Sequence, residues 1–168
     1  MKIREKHHRL PRQAYHGEVI AAFTICVDNR VRLFTDHEVV GAFINILRAA
    51  AERWSCIVGI YCFMPDHLHV ILQGESPTAN IWETVVEFKQ RSGYWLARQR
   101  PGVVWQKDFH DHIFRHSEDI AKHVRYILDN SCRAGLVTEW EQYPFKGAIG
   151  CRLEDVLGGL PCRGRGRA

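Results

Sequence analysis

No apolar run in this sequence approaches the roughly 20 residues that a membrane-crossing helix needs, so a membrane-crossing helix is not expected. The first residues are basic and polar, with no apolar segment behind them of the kind a secretory signal carries, and the expectation is a cytoplasmic protein. There are six cysteines (Cys26, Cys56, Cys62, Cys132, Cys151 and Cys162), but no C-x-x-C pair and no zinc-ribbon spacing. Several lie within apolar runs, where cysteine acts as a small buried hydrophobe, and this fits a reducing compartment. Internal repeats and low-complexity linkers are missing too, so nothing divides the 168 residues. The expectation is one domain over 1–150 and a basic, flexible tail over 151–168. With 46% apolar and 25% charged residues, the chain has the make-up of a globular domain able to bury a real core.

An excess of charge is also nearly absent: the formal net charge is +4. Its placement says more than its size. Lys2, Arg4, Lys6, Arg9 and Arg12 crowd the first dozen residues with His7 and His8, and Arg163, Arg165 and Arg167 alternate with glycine at the other end. Such arms pair with phosphates or simply solubilise a terminus. In mid-chain Lys89, Arg91, Arg98 and Arg100 interleave with Phe88, Tyr94 and Trp95, a mixture able to meet phosphates and stack on bases. Ile81, Val85, Phe88 and Trp95 fall at helical intervals, so most of these aromatics are assigned to the core.

What is present is concentrated in Tyr61-Cys62-Phe63-Met64-Pro65-Asp66-His67-Leu68-His69-Val70-Ile71-Leu72. An apolar strand meets a Pro-Asp break, and the next strand opens with two histidines one residue apart. On a strand, alternate residues share a face, so His67 and His69 project together while Leu68, Val70 and Leu72 point to the other side. Paired imidazoles on an exposed strand face suit metal ligation. Further on, Ser117 to Asn130 reads as a helix, with Ser117 at the N-cap and Glu118 and Asp119 in the first turn. Ile120, Val124, Ile127 and Leu128 form its buried stripe. His123, Tyr126 and Asn130 lie off that stripe, with Tyr126 and Asn130 one turn apart.

The wider pattern gives a strand at about 18–27, a helix at 36–53, strands at 56–63 and 67–73, and a helix at 80–99. Short strand segments follow near 103–106 and 112–115, before the tyrosine helix and an irregular tail. Strand–helix–strand–strand–helix–strand is the split βαβ order of an α+β, ferredoxin-like antiparallel sheet with helices on one face. Periodicity alone leaves other α+β sandwiches open.

Taken together, His67-Leu68-His69 and the helix bearing Tyr126 and Asn130 resemble the single-tyrosine His-hydrophobic-His (HUH) transposases of insertion sequences, and within them the REP-associated tyrosine transposases of bacteria. The resemblance extends over Arg9-Leu10-Pro11, Phe23 to Cys26 with Arg30 to Phe34, Phe63 to His69, Phe88-Lys89, and Trp105-Gln106 with Phe109, Asp111, His112 and Arg115. It continues through Tyr126-Ile127, Asn130, Arg133 to Val137 and Tyr143-Pro144-Phe145. Where the family usually has proline after the asparagine, this chain has Ser131, so the end of that helix is expected to differ.

The resemblance implies a ferredoxin-like fold with the tyrosine helix laid against the active-site side. It implies a metal-dependent single-stranded DNA endonuclease and strand transferase, acting next to the hairpins of repetitive extragenic palindromes. Tyr126 would be the nucleophile and leave a 5′-phosphotyrosine link; His67, His69 and Asn130 would hold Mg²⁺ or Mn²⁺. Arg4, Arg9, Arg12, Lys89, Arg91, His112, Arg115 and Arg133 are the candidate DNA contacts. The partner is single-stranded DNA with hairpins, with no membrane, and the protein would act as monomer or homodimer. Asp66, Glu87 and His123 are candidates for the groups that orient the site.

Three alternatives stay open at this point. His110-Asp111-His112 is a rival metal motif. The chain could be a catalytically silent, hairpin-binding descendant of a transposase. It could also be an unrelated metal-dependent hydrolase that uses the histidine pair and has no need of Tyr126.

Overall fold

The structure, a computed structural model, describes residues 10–158. Five strands form one antiparallel sheet: β1 (Ile20–Cys26), β2 (Cys56–Met64), β3 (His67–Gly74), β4 (His110–Ile113) and β5 (Lys146–Ile149), in the spatial order β4-β1-β3-β2-β5. Among the described residues four α-helices accompany it: α1 (His37–Arg53), α2 (Ile81–Gln99), α3 (Ser117–Arg133) and α4 (Leu153–Leu157). This is the expected α+β, ferredoxin-like arrangement. Among the described residues no helix is long and apolar enough to cross a membrane.

Local sequence explains where the two long helices begin. The Asp36 carboxylate accepts the Val39 N–H at 2.9 Å, and the Asn80 side-chain oxygen accepts the Glu83 N–H at 3.0 Å, which satisfies amide groups that a helix start otherwise leaves open. Between β2 and β3 the chain turns at Pro65-Asp66, and the turn is tied down from outside. The Pro65 carbonyl accepts the Phe34 N–H at 3.0 Å and the Asp66 carbonyl accepts the Val27 N–H at 2.9 Å. The strand that starts at His67 therefore leaves a braced turn, not a free hairpin tip.

Alternation then sorts the side chains of β3. Leu68, Val70 and Leu72 are buried on the face shared with Phe63 and Phe23. There Phe63 meets Phe34 and Phe43, and Phe43 meets Phe88 of α2, all within ordinary aromatic contact distance. His67 and His69 point to the opposite face, where α3 lies, its apolar stripe Val124, Ile127 and Leu128 buried. The sheet is thus covered by α1 and α2 on one side and by α3 and α4 on the other.

The structure corrects the sequence reading at several boundaries. Residues 103–106 form no strand; Trp105 makes a single bridge with Val27. The edge strand β4 starts at His110 and ends before Arg115. Ser117 is the first helical residue of α3, and His116 occupies the cap without a side-chain hydrogen bond. The helix runs on past Asn130 to Arg133. Ser131, unlike a proline, keeps its N–H in the helix; its hydroxyl donates to the Leu128 carbonyl at 2.9 Å. The region expected to be an irregular tail contains β5 and α4. Val156 of α4 is buried, 3.7 Å from where a Cβ on Gly59 would stand, so the fold passes the boundary expected at 150.

Candidate active site

The antiparallel register decides what surrounds the histidine pair. Thr24 of β1 and Cys62 of β2 flank His69, and Cys26 and Met64 flank His67, all on one face. Each imidazole is held by one ring nitrogen. Nδ1 of His67 lies 2.6 Å from the Asp66 carboxylate, which is itself 3.7 Å from the Arg30 guanidinium. Nδ1 of His69 lies 3.1 Å from the Thr24 hydroxyl. With those nitrogens anchored, both Nε2 atoms turn to one place and stand 3.1 Å apart.

Asn130 reaches the same place from α3, its side-chain nitrogen 3.0 Å from Nε2 of His69. Burial, reinforced by the neighbouring His67, holds the pKa of His69 down to about 3. At neutral pH it therefore offers a lone pair, not a charge. His67 needs a proton on Nδ1 to donate to Asp66, so its neutral tautomer also aims a lone pair from Nε2.

The two imidazoles fit a divalent cation, and the Asn130 oxygen would complete the set if the amide turned it away from Arg133. Adjacent ligands about 2.1 Å from a six-coordinate ion stand about 3 Å apart, the spacing of the two Nε2 atoms. Ligating histidines normally have the second nitrogen fixed by a carboxylate or another oxygen, as Asp66 and Thr24 do here. Of the three groups expected to orient the site, Asp66 does so. Glu87 instead pairs with Arg53 at 3.2 Å and Arg91 at 4.0 Å, and His123 stands beside Tyr126.

Tyr126 is 53% exposed and lies one turn before Asn130 on α3. The Arg133 guanidinium sits 4.3 Å from its ring centroid, donates to the Tyr126 carbonyl at 2.9 Å, and donates to the Asn130 side-chain oxygen at 2.6 Å. Nucleophile candidate, amide and cation therefore move as one unit with the helix.

The remaining sequence candidates are scattered. Arg4 and Arg9 lie outside the described residues. Arg12 stacks on Trp82 at 5.7 Å. The Lys89 ammonium donates to the carbonyls of Gln106 and Lys107 and stands over Phe109, so it braces the loop after α2. Arg115 is exposed, and His112 is exposed on the edge strand. The rival motif His110-Asp111-His112 does not converge: Asp111 points to the other face and accepts from the Tyr15 hydroxyl. Among the described residues no cluster of three or more His, Cys, Asp or Glu has metal-binding geometry, so the His67, His69 and Asn130 set depends on its amide. Thr24 was missed by sequence reasoning, since only strand register places it opposite His69.

Comparison with known proteins gives the family and the fold. A REP-associated tyrosine transposase assignment attaches by name to a protein of Haemophilus influenzae, 24% identical over 135 residues, covering 73% of this chain and 76% of the relative. The REP-associated tyrosine transposase of Escherichia coli is 25% identical over 91 residues, covering 52% of each. Among solved structures, a REP-associated tyrosine transposase bound to a REP hairpin superposes with a TM-score of 0.71 at 20% identity, covering 84% of this chain and 81% of that one. A protein of Deinococcus radiodurans assigned as a transposase gives 0.51 at 19% identity, covering 76% and 95%. These two show the same fold. The sequence profile of the IS200-like transposases matches residues 16–130, and the chain belongs to that family.

Proposed function

We propose that this protein cleaves and rejoins single-stranded DNA beside hairpins, with Tyr126 as the nucleophile and a divalent cation held by His67, His69 and Asn130. The observation that carries this reading is the convergence of both Nε2 atoms and the Asn130 amide on one point, one helical turn from an exposed tyrosine. The Tyr126 oxygen attacks the scissile phosphorus as its proton leaves to solvent. The bond from phosphorus to the 3′ oxygen breaks, giving a 5′-phosphotyrosine and, after protonation, a 3′-hydroxyl. Because the phosphotyrosine bond replaces a phosphodiester of similar energy, a 3′-hydroxyl can reverse the step and join strands. A bound Mg²⁺ or Mn²⁺ would offset charge developing on the phosphate, and the nitrogen-rich ligand set favours Mn²⁺.

The chain's own residues supply position. Asp66 and Thr24 fix the ring orientations, and α3 sets the distance between Tyr126 and Asn130. Arg133, beside Tyr126, would reach a phosphate once its bond to the Asn130 oxygen is given up. The hairpin partner is suggested by the solved relative bound to a REP hairpin. The test is incubation with labelled hairpin-flanked single-stranded DNA from around its own gene, with Mn²⁺, followed by mass spectrometry of the digest. A nucleotide on the peptide containing Tyr126, and none in Tyr126→Phe, is the expected result. An adduct on Tyr15, Tyr61, Tyr94 or Tyr143, or cleavage by Tyr126→Phe, overturns the mechanism.

A further inference from the structure

Beside Tyr126 lies a group of rings that the proposed chemistry does not use. His112 of β4 and His123 of α3 stand with their rings parallel to within 9° and their centroids 6.4 Å apart. Phe114 is close to perpendicular to both, at 85° and 77°, with centroids 5.1 Å from His112 and 5.3 Å from His123. It lies in contact with both parallel rings. Tyr126 follows His123 by one turn, its ring centroid 6.1 Å away.

These distances have a chemical meaning. Stacked bases in a nucleic-acid strand lie about 3.4 Å apart, so the outer rings of a three-layer stack are about 6.8 Å apart. Parallel imidazoles in face-to-face contact would stand at about half that distance. The observed spacing is therefore close to what a sandwich with one planar ring between the two imidazoles requires. His112 is exposed on an edge strand, so a base can approach it from solvent, while His123 and Phe114 are half-buried. Burial, and the nearby His112, push the pKa of His123 down. A neutral ring stacks without stripping water from a cation. The surroundings suit a nucleotide better than another planar group: Arg133 covers Tyr126 on one side, and exposed Arg115 follows Phe114.

We propose that His112, Phe114 and His123 form a clamp for one nucleobase of the DNA strand, which seats the adjoining phosphate at Tyr126. The proposal rests on Tyr126 as the nucleophile and adds the surface that fixes the neighbouring base. Stacking tolerates every base, so the clamp sets the register of the strand and leaves sequence selection to other contacts.

The test measures binding in EDTA in a Tyr126→Phe background, so that neither metal nor covalent chemistry contributes. The probes are an oligothymidylate of about 12 nucleotides and an abasic oligomer of equal length and charge. The parent protein should prefer the base-bearing oligomer by about tenfold or more. His112→Leu and His123→Leu, which keep apolar bulk without a ring, should each lose most of that preference, whereas His112→Phe and His123→Phe should keep it. Equal affinity of the parent for both oligomers, or undiminished preference in the folded leucine variants, overturns the clamp. A missing tyrosine adduct with an intact, clamp-dependent preference defeats only the cleavage reading.

Discussion

Arg133 and Asn130 are joined by a 2.6 Å hydrogen bond from the guanidinium to the side-chain oxygen, which leaves the amide nitrogen facing His69. An amide nitrogen is not a metal ligand; the oxygen is. To serve the cation, Asn130 has to turn its oxygen toward the histidines and give up the bond to Arg133. The arginine would thus compete with a bound cation for one atom, and its release would leave it free for a phosphate.

Arg133→Ala is therefore expected to tighten Mn²⁺ binding severalfold while weakening single-stranded DNA binding. Because the residue is exposed, stability should change by less than about 1 kcal/mol. Isothermal titration with Mn²⁺ in the absence of DNA checks the first part; weaker metal binding in the variant would show that the arginine supports the site and does not compete for it.

His67→Ala and His69→Ala should each abolish strand cleavage and the rise in melting temperature on adding Mn²⁺. That rise corresponds to about 2.7 kcal/mol when the ion is at one hundred times its Kd. Both side chains face away from the Phe63–Phe43 side of the core, so circular dichroism should remain folded. A folded variant that still cleaves would make the pair structural.

Thr24→Val keeps the shape of the side chain and removes the oxygen beside Nδ1 of His69. Mn²⁺ affinity should fall by about 10- to 100-fold, the range for losing a group that orients a ligating histidine. Unchanged affinity would mean that packing alone fixes the ring.

The metal-free protein should lose stability on acidification through the His69 window. The folded pKa of about 3 lies below the ordinary 6.5, so the unfolded chain binds the proton first and stability falls as pH drops from 6.5 towards 3. The slope from this group is at most about 1.4 kcal/mol per pH unit. Denaturant titrations of wild type and His69→Gln should converge in slope above pH 7 and separate below 6. Parallel curves throughout would count against the assignment.

Gly74→Ala tests the fold independently of the site. A Cβ there would lie 1.9 Å from the Gly17 carbonyl oxygen and 2.9 Å from the Ala79 methyl group, so β3 cannot close on its neighbours without backbone movement. A loss of roughly 1–3 kcal/mol or more is expected, read as a lower denaturant midpoint; wild-type stability would show that the Gly17 loop yields easily.

The sequence by itself determined the period-two placement of His67 and His69, the one-turn spacing of Tyr126 and Asn130, and the strand–helix order that defines an α+β sheet. Each follows from backbone geometry repeating over a few residues. Tertiary structure alone decided which residues meet across long separations. Thr24 orients His69 because β1 pairs with β3 in one register, and a shift of one residue would turn its hydroxyl to the other face. Arg133 meets Asn130 because α3 runs one turn further than expected with Ser131 in place of proline. β5 and α4 had too few residues for a periodic signal, and they form because the open edge of β2 and the space at Gly59 are there to be filled. His112 and His123 come together for the same reason: the edge strand and the tyrosine helix meet only after the sheet has formed, and no local pattern records that contact.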